Sequence, residues 1–250
     1  SRPRSQRKRK VIEIKYILSY GGGVNSTAMF FVLLANKESI DEVIFANTGA
    51  ESENTYKTVE LMKKLVEQKG ILFTTVNSKL GNIYDYYFKR KGLPSIVHRD
   101  CTGKFKVASI RTYLRGKYGK KETFIQYIGI SYEEAHRMRT SDVKYITNEY
   151  PLVYGRIDRE KCNQINHING FDTVAKSGCW FCPFTSKKGW IELMNNNPEL
   201  YEKAVALEEN CPNKKVLLSS KPLRTIREYK GQCKLKEFEL TCDVAGGCFL

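Results

Sequence analysis

The hydrophobic pattern of the first half of the chain predicts strands that alternate with helices. Val11 to Leu18 alternates apolar and polar residues and then becomes continuously apolar, which is typical of a strand that enters a buried sheet. Ser19 to Gly23 interrupts this pattern, and Ser26 to Ala35 is an apolar stretch of helical length. The pattern therefore predicts a strand, a glycine-rich loop and a helix, in that order.

The same alternation continues as far as residue 150. The further predicted strands are Glu42 to Ala46, Ile71 to Val76 and Thr123 to Ile130, and the further predicted helices are Asn54 to Lys69 and Val107 to Tyr118. Strands that alternate with helices form parallel sheets with right-handed crossovers, so the chain is assigned to the α/β class, with a Rossmann-like sheet and helices on both faces. In such sheets ligands bind beyond the carboxyl ends of the strands.

The pattern changes after Tyr150. Asp158 to Asn169 and Lys187 to Asn210 are predicted as helices, and the loop between them, Lys176 to Phe184, carries cysteines. We therefore expect a basic, disordered tail at residues 1–10, an α/β domain at residues 11–150, and a helical, cysteine-bearing region at residues 151–250 that packs on it.

The chain has a large excess of positive charge. Its 250 residues have a formal net charge of +15, and six of the first ten residues are Lys or Arg. This charge favours polyanionic partners such as nucleic acids and nucleotides, with a solvated basic surface as the alternative. The sequence has no apolar run near the roughly 20 residues of a membrane span, and its basic tail lacks the apolar segment of a secretion signal. We expect a cytoplasmic protein without a membrane partner.

The loop from Ser19 to Thr27 has the composition of a phosphate-binding loop. Its three successive glycines, Gly21 to Gly23, let backbone amides approach an anion, and the positive end of the following helix lies at the same place. Ser26 and Thr27 add hydroxyl donors. The loop matches neither the Walker pattern nor the spaced glycines of dinucleotide-binding folds, and a glycine run alone also forms tight turns.

The segment from Gly21 to Ser26 resembles the Ser-Gly-Gly-x-Asp-Ser loop of the PP-loop ATP pyrophosphatases. Gly21 stands at the first serine of that pattern, and Asn25 stands at its aspartate. The resemblance implies a sheet of the HUP type and an ATP molecule whose phosphates lie across the loop, together with magnesium. Because Asn25 offers an amide oxygen in place of a carboxylate, it puts the placement of magnesium in question.

Three further segments resemble the PAPS reductase branch of the same superfamily. They are Asn47 to Glu51, His98 to Val107, and Gly129 to Arg139. In the first of them Asn47 replaces an aspartate. The resemblance implies nucleotide contacts at Asn47, Thr48, Gly49, Glu51 and Gly129, and catalytic cations at Lys104, Lys106 and Arg137.

The spacing of the cysteines indicates a metal site. Eight cysteines in a reducing compartment favour metal or redox chemistry over disulfides. Cys179 and Cys182 form a C-x2-C pair, which supplies two of the four ligands of a tetrahedral site. Cys101 and Cys162 are the predicted third and fourth ligands.

A resemblance bears on the kind of metal. Assimilatory APS reductases, and the ATP-hydrolysing subunits of DNA phosphorothioation systems, hold a 4Fe–4S cluster at similar positions, which implies a cluster here. APS reductases have a Cys-Cys pair where this chain has only Cys101. A three-cysteine cluster without Cys101 and a zinc ion with the same four ligands are the alternatives.

The resemblance and the charge together predict a sulfur-transfer enzyme. It would adenylylate its substrate, release pyrophosphate and let sulfur displace AMP, with nucleic acid as acceptor, as in tRNA thiolation or DNA phosphorothioation. A cysteine desulfurase or another sulfur donor is an expected partner. Cys242 and Cys248, which flank a glycine pair, are candidate catalytic thiols, although ordinary free cysteines are equally consistent with the pattern.

Two alternatives remain at this stage. One is an APS or PAPS reductase, although such enzymes carry their catalytic cysteine in a Glu-Cys-Gly-x-His context that neither Cys242 nor Cys248 has. The other is a non-catalytic subunit that binds a nucleotide or nucleic acid around a structural metal. The neutral residues Asn25 and Asn47 at aspartate positions favour this second alternative.

Overall fold

One parallel sheet forms the centre of the fold. The computed structural model describes residues 13–212, 216–217 and 221–226. The strands are β1 (Ile14–Tyr20), β2 (Glu42–Asn47), β3 (Leu72–Asn77), β4 (Thr123–Ile128) and β5 (Ile146–Glu149). They lie in the order β3-β2-β1-β4-β5, and every pair is parallel. The predicted Rossmann-like α/β class is confirmed.

Eight α-helices occur in the part of the chain that the structure describes. They are α1 (Val24–Ala35), α2 (Glu53–Gln68), α3 (Ile83–Lys89), α4 (Ala108–Tyr118), α5 (Pro151–Tyr154), α6 (Arg159–Ile168), α7 (Lys187–Asn196) and α8 (Pro198–Glu209). A π-helical turn, Thr102–Val107, leads into α4, and 3-10 turns lie at Tyr132–Arg137 and Leu223–Thr225. Among these helices, none combines the length and the apolar character needed to span a membrane.

The chain divides into two compact units. The first unit contains the sheet and consists of residues up to 79 and residues 104–178, and the second consists of residues 80–103 and the residues from 179 onwards. This division differs from the expected boundary at residue 150. Helix α6 belongs to the first unit because its buried side chains, Cys162 and Asn166, face α1, and Asn166 donates a hydrogen bond to the carbonyl of Val24 at 3.0 Å.

Alternate residues of the strands build two cores on the two faces of the sheet. Leu18 of β1 and Phe45 of β2 pack in the core that contains α1, α2, α5 and α6. Ile17 and Ile44, their neighbours in sequence, pack in the core that contains α4. Because successive side chains of a strand point to opposite faces, a strand buried on both sides must be almost continuously apolar. This requirement explains the apolar runs of the sequence.

The second unit has an aromatic core of its own. Trp190 of α7 and Tyr201 of α8 are fully buried. The ring of Tyr84 on α3 lies 5.2 Å from the ring of Trp180 and 5.7 Å from that of Phe181, measured between ring centroids. The two residues between Cys179 and Cys182 therefore take part in packing within this unit.

A buried carboxylate lies at the amino end of β2. Glu42 is fully buried and accepts hydrogen bonds from the hydroxyls of Thr74, Tyr113 and Tyr118 and from the ammonium group of Lys117. Burial disfavours the ionised form, but these four hydrogen bonds outweigh it and hold the pKa of Glu42 below its ordinary value of 4.5. The folded state therefore holds this carboxylate ionised.

Glu42→Gln should lower the free energy of unfolding by about 1–3 kcal/mol at pH 7, because the buried donors lose their charged acceptor. In the native chain this contribution is present above the ordinary pKa of 4.5 and is lost as the pH falls through the lower pKa of the folded state. Urea unfolding between pH 7 and pH 3 measures both effects, with Glu60→Gln on the exposed face of α2 as the control. An unchanged slope of stability against pH in the Glu42 variant would contradict the assignment.

Candidate functional site

The glycine loop joins β1 to α1 at the carboxyl edge of the sheet. The hydroxyl of Ser26 accepts hydrogen bonds from the amides of Gly21 at 3.2 Å and Gly23 at 3.3 Å, and it donates to the carbonyl of Gly23 at 3.1 Å. Thr27 is fully buried, and its hydroxyl lies 3.0 Å from the hydroxyl of Tyr20. The hydroxyls of Ser26 and Thr27, both predicted to contact the nucleotide, therefore make hydrogen bonds to the loop and to Tyr20 of β1.

Two of the glycines are required by close packing within the first unit. Gly22 has a φ of +71°, and a Cβ there would lie 2.7 Å from Cγ2 of Thr55 and 2.9 Å from Cγ2 of Val59, both on α2. A Cβ on Gly23 would lie 2.6 Å from Oγ of Ser177. Gly22 thus serves the packing of α2 against the loop, and a larger residue there would disturb the fold as well as any bound phosphate.

A third close approach comes from the end of β4. A Cβ on Gly129 would lie 2.9 Å from both N and Cα of Ser26, so the backbone after β4 lies directly against the first turn of α1. Gly21, by contrast, has room, since a Cβ there would meet only the hydroxyls of Ser26 and Ser177 at 3.7 Å. The predicted residues Gly21 and Gly129 thus both lie beside Ser26.

The first turn of α1 has neither an N-cap side chain nor an acidic residue. Gly23 occupies the N-cap position, and its amide donates to the hydroxyl of Ser26. The first amides of a helix have no partner within the helix and carry a partial positive charge. These groups are the usual ligands of phosphate at a helix amino end.

Asn25 presents a buried oxygen without a partner. The side chain is 7% exposed, and Nδ2 donates a hydrogen bond to Oε2 of Glu134 at 3.1 Å. Oδ1 of Asn25 has no partner among the described residues. Glu134 also pairs with the guanidinium groups of Arg137 and Arg159. The carboxylate that Asn25 lacks is therefore supplied beside it from the loop after β4, and the predicted cation Arg137 is held by that carboxylate.

Glu51 presents a second oxygen of this kind. The carboxylate is buried, and its Oε1 accepts hydrogen bonds from Nζ of Lys106 at 2.8 Å and from the hydroxyl of Thr48 at 3.1 Å. Oε2 of Glu51 is buried and has no partner among the described residues. Lys106 lies on the π-helical turn before α4, as does the exposed Lys104. A buried acceptor without a donor is costly, so both orphaned oxygens favour a ligand that brings donors or a cation.

Asn47 and Ser19, which were also predicted to contact the nucleotide, make hydrogen bonds or strand pairs within the protein. Oδ1 of Asn47 accepts hydrogen bonds from the amide of Gly49 and from the hydroxyl of Tyr56, both at 2.9 Å, so Asn47 fixes the turn after β2. Ser19 lies inside β1, paired with residues of β2 and β4, rather than in the loop. The resemblance to an aspartate motif could not reveal that the amide of Asn47 is engaged locally.

The orphaned oxygens suit a magnesium ion. Asn25 and Glu51 follow the adjacent strands β1 and β2, and magnesium prefers oxygen ligands, commonly one or two protein groups together with nucleotide phosphates. Oδ1 of Asn25 and Oε2 of Glu51 are therefore the atoms that would hold it. When bound, magnesium would neutralise charge on the phosphates.

The comparisons with known proteins bear on the fold. No family model matches the chain. The U34-tRNA thiolase NcsA from Methanococcus maripaludis, solved with its [4Fe–4S] cluster, aligns with 94% of this chain and 77% of its own at a TM-score of 0.50 and 19% identity. The chain shares the fold of that structure. A phosphate complex of PAPS reductase from Candida auris aligns with 65% of this chain and 74% of its own, at a TM-score of 0.42 and 13% identity.

Two curated relatives of the chain are uncharacterised proteins of Methanocaldococcus jannaschii. One is 26% identical over 200 residues, which are 75% of this chain and 46% of the relative. The other is 24% identical over 203 residues, which are 75% of this chain and 40% of the relative. The chain thus spans less than half the length of the curated relatives it matches.

The predicted ligand Cys162 lies in the first unit, where it is fully buried in the apolar core around α1. Burial raises the pKa of its thiol to about 12. Its role as a metal ligand stays a prediction. Among the described residues, no three His, Cys, Asp or Glu side chains are placed to hold a metal ion.

The other predicted cysteine ligands have different surroundings. Cys179 and Cys182 are partly exposed, and the amide of Cys182 donates to the carbonyl of Cys179 at 3.0 Å, which confirms a tight turn. Cys101 is also partly exposed and belongs to the same unit. Cys242 and Cys248, the candidate catalytic thiols, lie outside the described residues.

Proposed function

We propose that the chain binds ATP at the glycine loop and adenylylates an oxygen of a nucleic acid, so that sulfur can displace AMP. The observation that carries this proposal is that the two orphaned oxygens belong to Asn25, in the first turn of α1, and to Glu51, which follow the adjacent strands β1 and β2. Lys106 places a cation on the same carboxylate. Such a site complements a polyphosphate with its metal ion.

The groups of the site would stabilise the negative charge that develops on the departing pyrophosphate. An acceptor oxygen attacks the α-phosphorus of ATP, the bond to the bridging oxygen breaks, and pyrophosphate leaves with the negative charge. Backbone amides of α1 and the ammonium group of Lys106 would stabilise that charge without reorganising, because the packing of Gly22, Gly23 and Gly129 fixes the loop. A sulfur nucleophile then bonds to the acceptor carbon, and AMP departs with the original oxygen.

Charge and fold both support a nucleic acid as the acceptor. The net charge of +15 favours a polyanion, and NcsA, which has this fold, is named as a thiolase of tRNA. We therefore propose tRNA as the first acceptor to test and DNA as the second. A cysteine desulfurase would supply the sulfur. A cluster or a zinc ion on Cys101, Cys162, Cys179 and Cys182 stays a prediction for iron, sulfide and zinc analysis, and the steps above do not depend on it.

Incubation with ATP labelled at the α-phosphate tests the proposed reaction. With sulfide added as the sulfur nucleophile, we expect labelled AMP and equimolar pyrophosphate, formed faster in the presence of tRNA, and no labelled ADP. Parallel reactions contain DNA or no nucleic acid, and two further reactions replace ATP by APS or PAPS with a thiol reductant. Release of sulfite from APS or PAPS would assign the chain to the reductases. Absence of pyrophosphate in every reaction, with ATP bound, would indicate a non-catalytic subunit.

A further inference from the structure

A cavity of about 660 Å³ lies on the face of the sheet that carries α1 and α5, entirely within the first unit. Its walls come from β1, the carboxyl-terminal half of α1, β4 and residues 149–157. Tyr16, which lines it, lies near the amino end of β1, whereas the glycine loop follows the carboxyl end of that strand. The cavity is therefore distinct from the proposed nucleotide site, and its volume is that of a small-molecule site.

Aromatic and aliphatic side chains form most of its wall. The rings of Tyr16 and Tyr127 are stacked, with their centroids 6.3 Å apart and their planes at 21°. Val32 of α1 and Ile125 of β4 extend this apolar surface. A wall of this kind accommodates the apolar body of a ligand, and tyrosine rings also attract cations.

A tyrosine hydroxyl without a partner lies in the same wall. Tyr127 is 5% exposed, and its hydroxyl makes no hydrogen bond with any described residue. Burial raises the pKa of Tyr127 to about 12, so the hydroxyl stays neutral and can donate or accept. Because Tyr127 lines the cavity, its hydroxyl is available to a polar atom of a ligand.

The charged residues that line the cavity are all acidic. Glu38 and Glu149 line it, and none of the described lining residues is Lys or Arg, although the whole chain carries a net charge of +15. Neither carboxylate has an ion-pair partner among the described residues. Tyr154, at the rim, makes a hydrogen bond with Glu149. An acidic lining in a basic protein selects cations.

We propose that this cavity binds a small organic cation with an apolar body, of the class of arylalkyl amines. The ring would pack against Tyr16 and Tyr127, and the ammonium group would pair with Glu38 and Glu149 while a polar atom meets the hydroxyl of Tyr127. The proposal does not depend on the adenylylation reaction, because the residues of the two sites do not overlap.

Isothermal titration with 2-phenylethylamine tests the proposal, and 2-phenylethanol serves as the neutral probe of the same shape. We expect saturable binding of the amine and at least tenfold weaker binding of the alcohol. Glu149→Gln should weaken binding of the amine at least tenfold, and Tyr127→Phe, which keeps the ring, should weaken it severalfold. Glu60→Gln removes the same charge from an exposed position on α2 and should change nothing.

Three results would overturn the proposal. They are absence of saturable amine binding, equal affinity for the amine and the alcohol, and an equal effect of the variants at Glu149 and Glu60. Thermal unfolding of each variant shows whether it is folded at the temperature of the titration. Titration with ATP in the same samples should give one affinity for all variants, so failure of the cavity and failure of the nucleotide site are separable.

Discussion

Gly129→Ala is expected to weaken the binding of ATP at least tenfold, while Gly116→Ala leaves it unchanged. A Cβ added at Gly129 would lie 2.9 Å from N and Cα of Ser26 and 3.1 Å from the backbone carbon of Asn25, distances at which one of the two segments must move. Both neighbours are backbone atoms of the first turn of α1. Since we propose that this turn holds the phosphates, the displacement acts directly on the amides that bind them.

Titration with ATP and magnesium measures the effect, for which a tenfold loss corresponds to about 1.4 kcal/mol. Overpacking should also lower the free energy of unfolding by about 1–3 kcal/mol, so the titration is made well below the unfolding temperature. Gly116→Ala, with no atom within 4 Å, controls for a glycine replacement elsewhere. Wild-type affinity in the Gly129 variant would remove the first turn of α1 from the phosphate site.

The sequence predicts the central strands well because they are buried on both faces. The runs through Ile17, Leu18, Ile44 and Phe45 are apolar throughout and could not serve any other element of that length. Strand β5, Ile146–Glu149, lies at the edge of the sheet and has only Ile146 fully buried, so it offers no such run. To predict β5, one would need to know in advance which strand lies at the edge of the sheet.

Only those parts of the candidate site whose residues are contiguous in the sequence can be predicted from it. The glycine loop and its helix are contiguous, and their pattern indicates their role. The partner of Asn25 is Glu134, which is 109 residues away and reaches it because β4 lies beside β1. The burial of Cys162 also depends on contact between distant segments, because α6 packs on α1. The spacing of the cysteines does not indicate this contact. Ser177, beside Gly23, has no signal in the sequence at all.

Lys106→Met is expected to impair both stability and ATP binding, and a second substitution separates the two effects. Lys106 holds Glu51, whose side chain is fully buried, at 2.8 Å. Without the ammonium group a buried carboxylate loses its partner, which should lower the free energy of unfolding by about 3–5 kcal/mol. Loss of a charged hydrogen bond to phosphate should weaken ATP binding by about 1.5–3 kcal/mol. Lys57→Met, which breaks an exposed pair with Glu53, should do neither.

The double variant Lys106→Met, Glu51→Gln decides between a structural and a phosphate-binding role for Lys106. Removing the charge of Glu51 also removes the buried ion, so most of the lost stability should return, because a neutral amide is much less costly to bury than an unpaired carboxylate. If Lys106 contacts the phosphates, ATP binding should stay as weak as in the single variant. Urea unfolding and titration with ATP on the same samples give both quantities. Recovery of ATP affinity together with stability would mean that Lys106 acts on the nucleotide only by keeping Glu51 in place.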